Sequence, residues 1–141
     1  MSIEHNKELV RRYRWAHTTN HLDQLDKIVA ADLITHNLLP DFPPGLAGGK
    51  MAHKLTLAAF PDYSVTSEGD LIAEGDKVVE RWICGGTFTG APYFGTSANG
   101  KRFCVAGISI YRIAHSTIAE HWGEANFLDA AQQLGTIPSI G

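Results

Sequence analysis

The spacing of apolar residues along the chain changes once, near Pro61. Before Pro61, apolar residues recur every three or four positions, which is typical of amphipathic helices. The predicted apolar face of a first helix over residues 3–19 consists of Ile3, Leu9, Val10, Tyr13 and Ala16. Arg14 and the two arginines before it are assigned to the outer side of this helix.

Two further helices are predicted before Pro61. The segment LDQLDKIVAA, residues 22–31, has apolar residues at helical spacing and is followed by ADLITHNLL, a short extended segment. After the break DFPPG, residues 48–59 place Met51, Leu55 and Ala58 on one face, and FPD ends the helix.

After Pro61 the apolar residues alternate with polar ones, which predicts strands. Four segments follow this pattern: SVTSEGDLIAE, DKVVERWICGGTFT, KRFCVAGISIYRI and TIAEHWGEANF. The turn signals EGD, SANG and AHS each lie between two consecutive strand segments. Helices followed by an antiparallel sheet predict one α+β domain over residues 1–141. We expect three N-terminal helices packed on a curved sheet of four to five strands, a cone-shaped barrel with an internal cavity, and a short C-terminal helix.

The last segment, IAEHWGEANFLD, concentrates polar side chains. In a regular strand His121 faces away from Glu120 and Glu124, unless a bulge intervenes at Gly123. Asn126 precedes FLDAAQQLG, which fits an N-cap with an acidic residue at the third helical position and a glycine stop.

Composition narrows the classes of function. The net charge is −3 and the basic residues are scattered, which argues against nucleic-acid or anionic-membrane partners. Without a long apolar run we expect a soluble, cytoplasmic protein. The sequence has no nucleotide-binding motif and its histidines lack metal-ligand spacing, so we expect neither a cofactor nor a metal.

Cys84 and Cys104 are interpreted as reduced core residues, roughly opposite each other in a hairpin centred near residue 94.

Two segments carry candidate chemistry. His121 fits a general acid/base, because its ordinary pKa suits neutral conditions, and it equally fits a core histidine bonded to a backbone carbonyl. His36, Asn37 and Asp41 adjoin a proline-rich loop, where polar side chains often contact a ligand. Turn formation is the alternative explanation for Asn37 and Asp41.

The chain resembles the SnoaL-like polyketide cyclase and ester cyclase family, within the ketosteroid isomerase and nuclear transport factor superfamily. The resemblance runs through NKELVRRY, LITHN, AAFPDYSVT, LIAEGDKVVERW, GKRFCVAGISIYRI, IAEHWGE and DAAQQLG. It implies a homodimer and a cofactor-free pocket for a small apolar, cyclic or polyketide-like ligand. Family cyclases close a ring by aldol condensation, with an acid on the last strand and a histidine on the preceding strand. Here Gly123 stands at the position of the acid, and Ser109 near that of the histidine.

The resemblance leads to one hypothesis and two alternatives. In the main hypothesis His121 transfers protons in a cyclase-type reaction, while His36 and Ser109 orient the substrate. The residues expected to bind the ligand are His17, Asn37, Ala52, Tyr111 and Gly123. The missing acid favours a non-catalytic ligand-binding or dimerisation module instead. A hydroxylase or hydrolase of the superfamily is the other alternative, and a hydrolase needs a carboxylate-polarised water, for which the strands offer Glu80, Glu120 and Glu124.

Overall fold

A computed structural model describes residues 2–37 and 41–137, and the described part combines helices with one mixed sheet. The α-helices are α1 (Ile3–Thr18), α2 (Gly45–Ala59) and α3 (Phe127–Gln133), with a 3-10 helix (Leu22–Lys27) after α1. The strands are β1 (Val29–Thr35), β2 (Ser64–Ser67), β3 (Ile72–Glu74), β4 (Lys77–Thr87), β5 (Arg102–Ala114) and β6 (Thr117–Ala125). The predicted α+β class is therefore confirmed.

The sheet is curved and open, with the strand order β1-β6-β5-β4-β2, and β3 also pairs with β4. The β1–β6 pair is parallel and all other pairs are antiparallel. The described residues form six strands instead of the expected four to five. The predicted strand SVTSEGDLIAE is divided in two around Gly69, whose φ of 73° favours glycine.

The predicted second helix is shorter than expected. It is a 3-10 helix that ends at Lys27, and Val29 already belongs to β1. Ile118 of β6 donates its backbone N–H to the carbonyl of Ile28, at 2.8 Å. Pairing with β6 therefore overrides the local helical spacing in this segment.

The helix α1 buries Asn6, Leu9, Val10 and Ala16 against the sheet, while Ile3 is exposed. Our assignment of Arg14 to the outer side is wrong. Its guanidinium points into the interior and binds Glu80, because an opposite buried charge there compensates for desolvation of the cation.

The predicted apolar face of α2 is also wrong. Leu46, His53 and Ala59 are buried, whereas Met51 and Leu55 are 44% and 45% exposed. The helix packs on β1, and a Cβ at Gly45 would lie 2.4 Å from the Ala31 carbonyl oxygen. This close approach at the start of α2 selects the face that meets the sheet.

A bulge in β6 changes the predicted alternation of its side chains. Arg112 pairs with Glu120 and Ile113 with Ile118, so Ala119 has no counterpart on β5. Ile118 consequently faces inward together with His121 rather than outward with Glu120. Beyond the bulge the register is regular, with Ser109 opposite Gly123 and no bulge at that glycine.

The hairpin of β4 and β5 is centred near residue 94, as expected from the sequence. Gly85 pairs with Cys104, however, and Cys84 pairs with Val105. Because the two cysteines are one position out of register, they face opposite sides of the sheet. Cys84 is buried and Cys104 is exposed, so the prediction of a core position is wrong for Cys104.

The junction of β6 and α3 has the predicted cap. Asn126 Oδ1 accepts the backbone N–H of Asp129 at 3.1 Å, and Gly135 follows the helix with a φ of 72°. Within residues 2–37 and 41–137, no helix has both the length and the apolarity needed to cross a membrane.

Candidate active site

An ion pair lies inside the sheet, beneath α1. Arg14 Nε and Nη2 each donate to one oxygen of Glu80, both at 2.8 Å. Tyr111 donates its hydroxyl to Glu80 at 2.6 Å, and Ser67 donates to the other carboxylate oxygen. Burial alone would raise the pKa of Glu80, but Arg14 and these hydroxyls lower it below its ordinary value. The interior therefore contains a fixed cation and a fixed anion.

His121 is held next to this pair by two hydroxyl groups. Its Nε2 atom is 3.1 Å from Ser109 Oγ, and its Nδ1 atom is 3.2 Å from Thr35 Oγ1. Ser109 also accepts a hydrogen bond from Trp82 Nε1, at 2.9 Å. The structure thus brings together Ser109 and His121, two of the residues predicted for catalysis.

Two glycines make this arrangement possible. A Cβ at Gly107 would lie 2.2 Å from the Trp82 ring, so only glycine lets the indole cross β5 in this position. A Cβ at Gly123 would lie 3.2 Å from both His121 Cε1 and Ser109 Oγ. The imidazole of His121 therefore lies beside the point from which the side chain of an acid at position 123 would project.

Burial and the nearby Arg14 cation keep the interior imidazoles neutral. Both effects lower the pKa of His121, to about 4, with burial the larger. The same two causes, in the same order, lower the pKa of His17 to about 3 and that of His53 below its ordinary value. At neutral pH one nitrogen of each ring therefore carries a hydrogen, and the other has a lone pair that can accept a hydrogen bond.

His17 and His53 form an aromatic wall on the helical side of the interior. The Nδ1 atom of His17 is 2.9 Å from the Tyr13 carbonyl oxygen, so Nδ1–H is the donor. Its ring centroid is 4.4 Å from that of Tyr13 and 5.1 Å from that of His53. His53 in turn contacts Tyr63 edge to face. His17 was a predicted ligand residue, whereas His53 and Tyr63 were not singled out from the sequence.

A cavity of about 400 Å³ opens between α2 and the start of α3. Its lining is mainly aromatic and aliphatic and comprises Asn37, Phe42, Ala52, Leu55, Thr56, Tyr93, Phe94 and Phe127. Asn37 Oδ1 accepts the backbone N–H of Gly123, which connects this cavity to β6. The predicted ligand residues Asn37 and Ala52 therefore line one cavity, and none of the lining residues that the structure describes carries a formal charge.

His36 does not lie in the interior, which corrects its expected position. Its ring is stacked on Trp122 with centroids 4.9 Å apart, and its Nε2 atom is 2.7 Å from Glu120 Oε2. The cause is the register of β1, in which Thr35 pairs with His121 and the next residue must face outward. Tyr111 faces inward, but it is fully buried and its hydroxyl is bound to Glu80.

The three glutamates considered for a hydrolase do not meet. Glu80 is bound by Arg14, while Glu120 and Glu124 lie on the opposite face of the sheet. Among the residues with described coordinates, no group of three or more His, Cys, Asp or Glu is placed to hold a metal ion.

Sequence reasoning missed Arg14, Trp82 and Thr35 as interior polar residues, and it considered Glu80 only as a carboxylate for a hydrolase. The sequence contained one signal for Glu80 and Trp82. In the strand segment KVVERWIC they alternate with the same spacing as Val78 and Cys84, so all four side chains point to the same face of the sheet. A charged residue among apolar ones at such spacing indicates a buried ion pair. No comparable signal existed for Arg14, which is adjacent to other arginines.

The comparisons with known proteins agree with this architecture. The SnoaL-like polyketide cyclase family matches residues 7–134. TsrD from Streptomyces laurentii is structurally similar with a TM-score of 0.85 and 28% identity, over 97% of this chain and 99% of TsrD. IdmH from Streptomyces antibioticus, a candidate polyketide cyclase, has a TM-score of 0.77 and 25% identity, over 92% of this chain and 98% of IdmH.

A candidate polyketide cyclase from Bacillus cereus ATCC 10987 gives a TM-score of 0.80 and 25% identity, over 95% of this chain and 83% of its own. No protein of curated function matches the sequence significantly. The family match extends over most of the chain, and the chain therefore belongs to the SnoaL-like polyketide cyclase family.

Proposed function

We propose that this protein is an enzyme of cytoplasmic secondary metabolism that performs cyclase-type acid/base chemistry on an apolar cyclic or polyketide-like metabolite. His121 is the proton-transfer residue. The observation that carries the proposal is a half-buried, neutral imidazole held between Ser109 and Thr35, two residues before Gly123, whose backbone N–H is bonded to the cavity residue Asn37.

The proposed reaction is an intramolecular aldol condensation. Neutral His121 accepts a proton from a carbon next to a carbonyl group, and the electron pair remains on the substrate as an enolate. The enolate carbon attacks a second carbonyl group of the same molecule, so a carbon–carbon bond forms and the resulting alkoxide takes up the proton. Hydrogen-bond donors in the interior stabilise the negative oxygen. Here the imidazole takes the place of the carboxylate that the resemblance implies at position 123.

The cavity supports an uncharged, ring-bearing ligand. Aromatic rings of Phe42, Phe94 and Phe127 offer apolar contact area. Asn37 has its carbonyl oxygen occupied by Gly123, which leaves its amide N–H groups to bond a carbonyl of the ligand. Tyr93 and Thr56, with hydroxyls 3.3 Å apart, supply further polar contacts at the cavity wall.

The test is turnover of keto esters that have a second carbonyl placed for ring closure, followed by mass spectrometry of the products. His121→Ala should lower kcat/KM by roughly 10²- to 10⁴-fold, the usual range for a general acid/base residue. His5→Ala, an exposed residue at the start of α1, is the matched control and should retain full activity. Equal turnover by wild type and His121→Ala would contradict the proposal. Binding of these compounds without any turnover by wild type would support the ligand-binding module instead.

We also propose a homodimer formed through the outer face of the sheet. Ile34 and Ile108 are 50% and 49% exposed, and they place aliphatic surface on that face. Sedimentation equilibrium should give twice the chain mass, and Ile108→Arg should give a monomer. A monomeric wild-type protein at micromolar concentration would contradict this arrangement.

A further inference from the structure

One chain of hydrogen bonds crosses four strands of the sheet. Trp82 of β4 donates to Ser109 of β5 at 2.9 Å. Ser109 is 3.1 Å from His121 Nε2 on β6, and His121 Nδ1 is 3.2 Å from Thr35 Oγ1 on β1. The chain depends on Gly107, since a Cβ there would collide with the indole.

The direction of these bonds follows from the donors that each group has. The indole N–H of Trp82 can only donate, so Ser109 Oγ accepts this bond and still has its own hydrogen to place. Ser109 is 2% exposed, and His121 Nε2 is the acceptor next to it. A buried hydroxyl that donates to no acceptor is costly. Ser109 therefore donates to Nε2, and the ring hydrogen must be on Nδ1, where Thr35 Oγ1 accepts it.

The opposite tautomer satisfies fewer groups. If Nε2 carried the hydrogen, it would donate to the second lone pair of Ser109, and the Ser109 hydrogen would lose its acceptor. Thr35 would then have to donate to Nδ1. Trp82, acting through Ser109, thus favours the Nδ1–H tautomer, and Thr35 provides the acceptor for the Nδ1 hydrogen.

We propose that Trp82 and Thr35 are positioning residues that hold His121 as the Nδ1–H tautomer, with the basic lone pair on Nε2, where the Ser109 hydroxyl occupies it until a substrate displaces this hydrogen bond. This inference rests on the proposed role of His121 and deepens it. In this tautomer the unprotonated nitrogen is Nε2. A Cβ at Gly123 would lie 3.3 Å from this atom. The basic nitrogen is then beside the position from which an acid at residue 123 would act.

The experiment reads the tautomer directly in the ligand-free protein. Two-bond proton–nitrogen correlation spectra of ¹⁵N-labelled protein at neutral pH distinguish a protonated ring nitrogen from one with a free lone pair. The His121 signals are assigned by their loss in His121→Asn. We expect a pattern with Nδ1 protonated and Nε2 unprotonated.

Thr35→Val removes the acceptor for Nδ1–H while keeping the shape of the side chain. It should shift the His121 pattern towards the Nε2–H tautomer, and Thr35→Ser should restore the wild-type pattern. Thr66→Val, at an exposed position of β2, is the matched control and should change nothing. Trp82→Phe should cause a smaller shift in the same direction, since Ser109 regains a lone pair, and exposed Trp15→Phe should cause none.

An Nε2–H pattern in wild type, or an unchanged pattern in folded Thr35→Val, would overturn the inference. Neither result depends on turnover. Loss of activity in His121→Ala together with an Nε2–H pattern would retain the proposed function and reject the role of Thr35 and Trp82. The expected tautomer together with full activity in His121→Ala would reject the proposed function alone.

Discussion

The two faces of the β1–β6 pair contain two histidines in opposite environments. On the inner face, His121 is bonded to the hydroxyls of Thr35 and Ser109 and lies near the Arg14 cation. On the outer face, His36 is stacked on Trp122 and bonded to the Glu120 carboxylate, and its side chain is 42% exposed.

These environments differ although the residues are neighbours in the sheet. The outer histidine is partly exposed, and its ring lies between the Trp122 indole and the Glu120 carboxylate. The inner histidine is bonded to neutral hydroxyls, and burial together with the Arg14 cation outweighs the nearby Glu80 anion and lowers its pKa to about 4. The difference teaches that the face of the strand, rather than the presence of histidine, separates the proposed proton acceptor from a surface histidine bonded to a carboxylate.

The largest expected effect comes from removing the anion of the inner face. Glu80→Ala should lower the free energy of unfolding by about 3–5 kcal/mol, because Arg14 would remain buried without its partner. Urea denaturation followed by circular dichroism measures the change. Glu124→Ala, at an exposed outer position of β6, is the control and should cost no more than about 0.5 kcal/mol. Similar costs for both variants would show that the two faces do not differ in this way.

A smaller effect is expected on the pH dependence of stability. The pKa of His121 is lowered from 6.5 to about 4 in the folded protein, so the unfolded chain binds its proton first as the pH falls. Stability from this group is therefore complete above pH 6.5 and is lost towards pH 4, by on the order of 3 kcal/mol.

Replacing His121 tests whether this group makes stability fall as the pH is lowered. Urea denaturation between pH 7 and pH 4 should show a shallower loss of stability in His121→Asn than in wild type. Thr66→Val, at an exposed position of β2 without a titratable group, is the control and should leave the slope unchanged. An equal slope in wild type and His121→Asn would contradict an imidazole that stays neutral in the folded protein.

The smallest effect is expected from the outer histidine. His36→Ala should change turnover by no more than about twofold, as for other surface substitutions, because its ring contacts Trp122 and Glu120 rather than the interior. Steady-state kinetics on the substrate used for His121→Ala provides the measurement. A loss as large as that of His121→Ala would restore the catalytic role that the sequence suggested for His36.

Much of the fold could be predicted because it depends on local patterns. Helical spacing located α1 and α2, alternation located β4, β5 and β6, and Asn126 marked the start of α3. The family resemblance added the expectation that Gly123 and Ser109 stand at the positions of the family's acid and histidine. The structure places Ser109 Oγ 3.1 Å from His121 Nε2.

The rest of the site depended on contacts between distant segments. Arg14 was misplaced because a helix exposes several faces and the sequence does not show which face meets a buried carboxylate. His36 was misplaced because its orientation depends on the parallel register of β1 on β6, which no local pattern encodes.

The sequence by itself determined the order of helices and strands, the turns, the cap at Asn126 and the separation of His121 from Glu120 and Glu124. These features follow from interactions within a few residues, where spacing and turn chemistry decide the outcome. Only the tertiary structure decided that Arg14 meets Glu80, that a bulge at Ala119 turns Ile118 inward, and that Thr35 rather than His36 contacts His121. Those contacts join residues far apart in the chain, and they depend on strand register and on helix packing, which local sequence patterns do not fix.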